Sequence, residues 1–269
     1  MSARIRVPGP ADDKYRRGVV GLRTGSDAYP GAAVLGVEAA WRTGIGMVRY
    51  VGPDRAAQLV LQRRPETVWG DGRVQAWVIG SGTEAGTRPA EETAALRGIL
   101  SGSVPVVVDA GALGLAPGAA APLLATPHAR EHDALRAALG LAPVAPDADD
   151  DTRADAVRAT ADALGGAVLL KGSVTIVAAP GGAAIRVGPA TPWLATAGTG
   201  DVLAGVLGSL TAAAGAAAPD ELVSVAALAA RLHDRAARIA AGVYGPRGGP
   251  ITALDVAAAL PHAVAEQSA

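Results

Sequence analysis

Short apolar runs alternating with helical stretches and glycine-rich loops constrain this chain more than any other feature. Residues 18–23, 47–51, 74–79, 104–108 and 167–170 are runs of strand length. The run 104–108 is apolar almost throughout, as a strand covered on both faces must be. Residues 32–43, 56–62 and 153–164 have helical spacing; Val34, Val37, Ala40 and Trp41 fall on one face. Strands that alternate with helices pack as a parallel sheet with helices on its faces, because each helix must bury its apolar stripe. The expectation is one three-layer α/β/α domain over residues 1–269 with a mostly parallel central sheet and an irregular lead-in at 1–13. Residues 174–178 and 184–187, joined by a turn at Pro180-Gly181-Gly182, read as a hairpin. The Pro- and Asp-rich 143–152 reads as a surface loop, and 221–241 as a long helix whose His233 and Asp234 are structural. Another helix starts at Thr252. No internal repeat or linker divides the chain.

Composition narrows the function. Half of the 269 residues are apolar, 18% are charged, and the net charge is −1. That balance gives no electrostatic footprint for nucleic acid or an anionic membrane. Aromatics make up 3% with no phenylalanine, which argues against a base-stacking surface. The absence of cysteine removes disulfides, thiol catalysis and cysteine-based metal sites together. The N-terminus lacks the apolar run of a signal peptide, and Gly, Pro or Arg breaks the other apolar runs before they could span a bilayer. A soluble cytoplasmic protein is expected. Only two of the 24 lysines and arginines are lysine, Lys14 and Lys171. So strong a preference for arginine points to a local reason for keeping lysine, or to chance.

The stretch 195–210 carries the sharpest chemistry. Val202, Leu203, Val206, Leu207 and Leu210 form the stripe of a core-packed helix. The helix is expected to start at or near Gly200-Asp201, fed by the turn Gly198-Thr199-Gly200. Such a turn presents free N–H groups at the positive end of a helix dipole, roughly half an elementary charge, and suits a phosphate. Asp201 has two readings there. It can cap the helix, or it can be a general base that takes a proton from a hydroxyl attacking a phosphoryl group.

Other polar positions fall at the ends of apolar runs, where open α/β sheets bind ligands. Gly25-Ser26 and Tyr29-Pro30-Gly31 lie between the first strand and helix. Gly80 to Gly86 follow the third strand without the spacing of a dinucleotide fingerprint. Asp109 ends the run 104–108 and reads equally as an active-site group or a capping residue. Thr126-Pro127-His128 and Glu131 follow a short apolar lead. Lys171-Gly172 closes the run 167–170.

The string Trp-Leu-Ala-Thr-Ala-Gly-Thr-Gly-Asp-Val-Leu-Ala-Gly (193–205) resembles the ribokinase-like superfamily, and within it the ADP- or ATP-dependent NAD(P)H-hydrate dehydratases. The resemblance extends over roughly residues 14–262, with the motifs in the family's order. It implies a ribokinase-like fold without a lid domain, and a lyase that phosphorylates the C6 hydroxyl of hydrated NADH or NADPH and eliminates phosphate. It implies Asp201 as the catalytic base, and substrate binding by Ala32, Ala33, Gly82, His128 and Asp201. Lys171, Gly172, Ser173, Val174, Thr175, Gly198, Thr199 and Gly200 would bind the nucleotide. Mg²⁺, ADP or ATP as co-substrate and a homotetramer are implied as well. The chain departs from the pattern at Ala129-Arg130, where the family favours Pro-Gly. Two other readings share these motifs: a kinase for a vitamin precursor or sugar on the same fold, and a non-catalytic nucleotide-binding regulator.

Overall fold

A computed structural model describes residues 5–268; residues 1–4, the start of the lead-in, and Ala269 lie outside the described part. The strands are β1 (Val19–Arg23), β2 (Met47–Tyr50), β3 (Val68–Trp69), β4 (Ala76–Ile79), β5 (Val106–Val108), β6 (Leu123–Ala125), β7 (Ala167–Leu170), β8 (Thr175–Ala178) and β9 (Ile185–Val187). They form one sheet in the order β3-β2-β1-β4-β5-β6-β7-β8-β9. Every pairing from β3 to β7 is parallel; β8 and β9 are added antiparallel as the expected hairpin. The described helices are α1 (Pro30–Thr43), α2 (Asp54–Arg63), α3 (Ala90–Leu100), α4 (Ala129–Ala138), α5 (Asp150–Leu164), α6 (Thr199–Ala214), α7 (Pro219–Gly242) and α8 (Ala253–Ser268).

Alternation along the strands splits the core into two layers. Val20, Leu22, Val78, Val107, Leu124 and Leu169 point to one face, where α1, α2, α6, α7 and α8 cover them. Ile79, Val106, Val108, Leu123, Val168 and Leu170 point to the other, under α3, α4 and α5. This is the expected three-layer α/β/α arrangement. Helix α6 sits at its centre, packed on α1, α7, β1, β4 and β5. Its Val202, Val206 and Leu207 are fully buried, each contributing about 1.5–3 kcal/mol gross. A Cβ at Gly205 would lie 2.2 Å from the Gly36 carbonyl oxygen, so α6 and α1 approach to backbone distance and the start of α6 is fixed against α1. Among the described residues, no helix is long and apolar enough to cross a membrane.

Strand order reverses at β1. The chain runs outward from β1 through β2 to β3, then returns to place β4 on the other side of β1. The carboxyl ends of β1 and β4 therefore open a crevice where ligands bind in sheets of this kind.

Several boundaries differ from the sequence expectation. Helix α5 begins at Asp150, inside the acidic stretch read as loop, because Asp149 caps it by accepting from the Thr152 N–H at 2.8 Å. Helices α3 and α4 fall where the periodicity gives no clear stripe. Residues 5–13, the described part of the expected lead-in, are irregular, and the irregular stretch continues to residue 17. The Tyr15 carbonyl accepts from Gln75 at 3.1 Å and Arg17 donates to the Gly44 carbonyl at 2.7 Å, which ties the segment to the sheet edge.

Candidate active site

Helix α6 starts one or two residues earlier than its stripe suggests, and this decides the geometry of Asp201. The N-cap is Gly198, with φ +87, a left-handed conformation that a residue with a Cβ rarely adopts. The first helical bond runs from the Val202 N–H to the Gly198 carbonyl at 3.1 Å. The N–H groups of Gly200 and Asp201 precede it and have no partner within the helix. Asp201 thus lies inside the first turn, and among the described residues its carboxylate makes no hydrogen bond. It does not cap the helix. Burial, joined by the charge of Asp109 and opposed by Lys171, pushes its pKa up to about 6. The Thr199 hydroxyl is turned away from the turn's open side, onto the Leu194 and Thr196 carbonyls, both at 2.9 Å.

Lys171 stands at the carboxyl end of β7 and reaches toward this turn. A Cβ on Gly200 would lie 3.9 Å from its Nζ. The ammonium donates to Asp109 Oδ1 at 2.7 Å and lies 3.7 Å from Glu131 Oε2. Burial opposes the lysine's charge, but Asp109 and Glu131 outweigh it and hold its pKa above the ordinary value. Asp109 is only 3% exposed. It begins a 3-10 turn (Ala110–Leu115), yet its side chain does not cap that turn. Its Oδ2 accepts from the Ser81 hydroxyl and its Oδ1 from the Thr126 hydroxyl, both at 2.8 Å.

His128 arrives from β6, and its backbone pairs in parallel with Lys171. It is the N-cap of α4: its Nδ1 accepts from the Glu131 N–H at 3.3 Å, and Glu131 Oε2 accepts from the His128 N–H at 2.8 Å. Ala129 and Arg130 are the first residues of α4, so the departure from the family pattern is absorbed into a helix start. His128, Lys171, Gly172, Ser173, Thr175, Thr199 and Gly200 line one cavity of about 470 Å³. Val174 is turned into the core beneath it. His233 of α7 also lines the cavity. Burial drops its pKa to about 4, leaving a neutral imidazole.

A second cavity, of about 600 Å³, opens at the strand-order reversal. Gly25, Ser26, Asp27 and Ala28 after β1, and Thr83, Glu84 and Thr87 after β4, line it. Ala32, Ala33 and Gly82 line neither cavity. Both alanines are buried in the first turn of α1, and a Cβ on Gly82 would stand 2.4 Å from that of Ala32. These three residues hold the two loops together, so any contact they offer a ligand is through backbone.

The structure therefore gathers Asp201, Gly198–Gly200, Lys171 and His128 at one edge of the sheet. The sequence reading left Asp109 open between two roles and did not anticipate the Ser81 and Thr126 bonds to it, nor His233. Ser81 and Thr126 are hydroxyls at strand ends and carry no signal in spacing. His233 lies in a helical stripe that reads as plain core.

A model of the NAD(P)H-hydrate dehydratase family matches residues 20–257. The bifunctional NAD(P)H-hydrate repair enzyme of Mycobacterium tuberculosis is 45% identical over 227 residues, which are 79% of this chain and 44% of that protein. The ADP-dependent (S)-NAD(P)H-hydrate dehydratase of Xanthomonas campestris is 33% identical over 77% of this chain and 76% of its own. The chain thus spans about half the length of the bifunctional relatives it matches. The crystal structure of the Bacillus subtilis ADP/ATP-dependent NAD(P)H-hydrate dehydratase superposes with a TM-score of 0.80 at 24% identity, covering 98% of this chain and 94% of that one. A ribokinase-like superfamily protein from Enterococcus faecalis superposes with a TM-score of 0.77 at 20% identity. On sequence the chain belongs to the NAD(P)H-hydrate dehydratase family, and its fold is the ribokinase-like one.

Proposed function

We propose that this chain uses ADP or ATP to dehydrate the S-form of hydrated NADH or NADPH, returning the reduced cofactor. The observation that carries the reading is Asp201, an unbonded and largely buried carboxylate with a pKa of about 6, beside unpaired N–H groups at the α6 N-terminus. A helix cap would be hydrogen-bonded, with its pKa lowered. A general base for a hydroxyl should be free, dehydrated and basic.

In this mechanism the C6 hydroxyl of the hydrate attacks the terminal phosphoryl group of the nucleotide. Asp201 takes the hydroxyl proton. The bond from phosphorus to the bridging oxygen breaks, and AMP or ADP leaves with the electron pair. The N–H groups of Gly200 and Asp201 hold the transferring phosphoryl oxygens, and Lys171 binds the phosphates of the nucleotide in the cavity it shares with Gly172, Ser173 and Thr175. The phosphorylated carbon then loses phosphate with the C–O electron pair, pushed by the ring nitrogen. Loss of the C5 proton restores the ring double bond.

Among the described residues, no group of three or more His, Asp or Glu could hold a metal ion, and both oxygens of Asp109 are engaged. The donors for Mg²⁺ would then be mainly phosphate oxygens of the bound ligands, as is usual for this ion. Its contribution when bound is to neutralise charge where two phosphate-bearing ligands meet. The same reading carries a cytoplasmic location, because hydrated cofactor forms where reduced cofactor is used, and a homo-oligomeric assembly.

The test is a panel of purified protein with ADP or ATP against hydrated NADH, hydrated NADPH, hydroxymethylpyrimidine, hydroxyethylthiazole and ribose. Nucleotide-dependent return of reduced cofactor, with no phosphorylated product from the other three, is expected. Turnover of one of those three instead would make the protein a kinase. Tight nucleotide binding with no turnover of any would make it a regulator.

A further inference from the structure

A second buried carboxylate stands in the site with no step of the reaction assigned to it. Three separate segments aim a donor at Asp109: Ser81 from the loop after β4, Thr126 from the end of β6, and Lys171 from the end of β7. Those donors engage both oxygens, so the group is held in one orientation. If Asp109 were only a buttress between strand ends, its contacts could be any polar set. Instead one of them is the lysine that approaches Gly200, the residue before Asp201.

We propose that Asp109 is a positioning residue: it fixes the Lys171 ammonium beside the α6 N-terminus and withholds it from Asp201, whose carboxylate stays free to accept the hydroxyl proton. This rests on the functional reading above. The division of Lys171 is the central point. An ammonium bonded directly to Asp201 would stabilise its ionised form and make it a weak base. Bonded to Asp109, the same ammonium remains near the phosphate-binding turn and leaves the Asp201 carboxylate without a hydrogen-bond partner.

The charged surroundings of Asp201 are few. Asp109 comes from the end of β5 and Lys171 from the end of β7. Glu131 of α4 acts through its contact with Lys171. From α7 comes His233, which burial keeps neutral. The groups of α1 and α8 against the turn, Leu35, Gly36 and Ala253, are uncharged. Burial is the largest cause of the raised Asp201 pKa, Asp109 adds to it, and Lys171 opposes.

Asp109→Asn keeps the shape and removes the charge. Carbon-13 NMR of the Asp201 carboxyl in ligand-free protein should show its titration falling by about one pH unit. The acid limb of kcat/KM should move down by the same amount, and plateau kcat should fall roughly tenfold because the base is weaker. Lys171→Met should move the Asp201 titration the opposite way, since the Asp109 charge then faces it unneutralised. A buttress would lower stability and leave both titrations where they are, and an unmoved Asp201 titration in Asp109→Asn overturns the proposal. Should that variant not fold, the wild type and Lys171→Met decide: Asp201 titrating in the ordinary aspartate range, or unmoved by the lysine substitution, also overturns it. Absence of turnover in the wild type would remove the functional reading, while the NMR titrations would still test the coupling between the two carboxylates.

Discussion

Asp201 sets stability and activity against each other. Its pKa is raised from 3.8 to about 6, so the folded protein binds this proton more tightly than the unfolded chain does. The stability that the proton confers is fully present below the unfolded value and is lost as pH rises through about 6. At neutral pH the ionised group therefore costs the fold on the order of 1–3 kcal/mol. Asp201→Asn removes that cost along with the base. Melting temperature at pH 7.5 should be equal to or above wild type, with the gap closing as pH falls from about 6 toward 4, while kcat drops about 10²–10⁴-fold. Calorimetry and turnover on the same preparations check this; near-normal turnover would remove Asp201 from the chemistry. At this scale the sequence was informative where a residue type is rare or its spacing diagnostic. The Gly198-Thr199-Gly200-Asp201 turn and the retained Lys171 both stood out. Its limit shows at Asp201, whose role as cap or base depends on whether the helix starts at residue 199 or 201, and a stripe of apolar residues does not resolve one turn.

Helix α4 shows how an element can disguise a site residue. Its buried side chains include His132 and Arg136 beside Leu135, so the face it presents to the core is half polar and no apolar stripe marks it. Helix α3 is hidden for a related reason, since only Leu96 and Leu100 are fully buried along it. Strands β3 and β6, of two and three residues, are too short to alternate visibly. The long α6, apolar along nearly its whole length, and the striped α7 were legible for the opposite reason. Because His128 is both the N-cap of α4 and a wall of the 470 Å³ cavity, a single substitution confounds the two roles. His128→Ala should cost about 0.5–2 kcal/mol of stability through the lost cap. His128→Asn should restore the melting temperature, because asparagine caps well. If the imidazole also holds ligand, KM for hydrated cofactor or for nucleotide stays raised in His128→Asn; recovery of both KM values together with the melting temperature would confine His128 to capping.

At the scale of the molecule, the two cavities draw on different stretches of chain. The 470 Å³ cavity is built from residues between His128 and His233, and the 600 Å³ cavity from residues between Arg23 and Glu92. ADP alone at a hundredfold excess over its Kd should add about 2.7 kcal/mol of stability. Lys171→Ala should abolish that gain more completely than any gain from hydrated cofactor, and thermal-shift titrations with each ligand separate the two. Equal losses would mean that one cavity serves both.

The place of α6 over β1 and β4 has a consequence for the making of the protein. The sheet face carrying Val20, Leu22 and Val78 is finished early in translation, but part of its cover, α6, begins only at Thr199. At ribosomal speeds of about 5–20 residues per second, the interval from the end of β4 to the start of α6 is roughly 6–24 s. For that time the nascent chain carries a greasy, half-built surface, and a chaperone that shields it should raise the yield of native protein. Chains released before residue 199 should bind hydrophobic dye and aggregate, whereas compact, dye-silent truncations would show that the N-terminal strands find another cover. The helix that brings Asp201 to the candidate site is also part of the cover of this face, so site and core are completed together, once α6, α7 and α8 have been made.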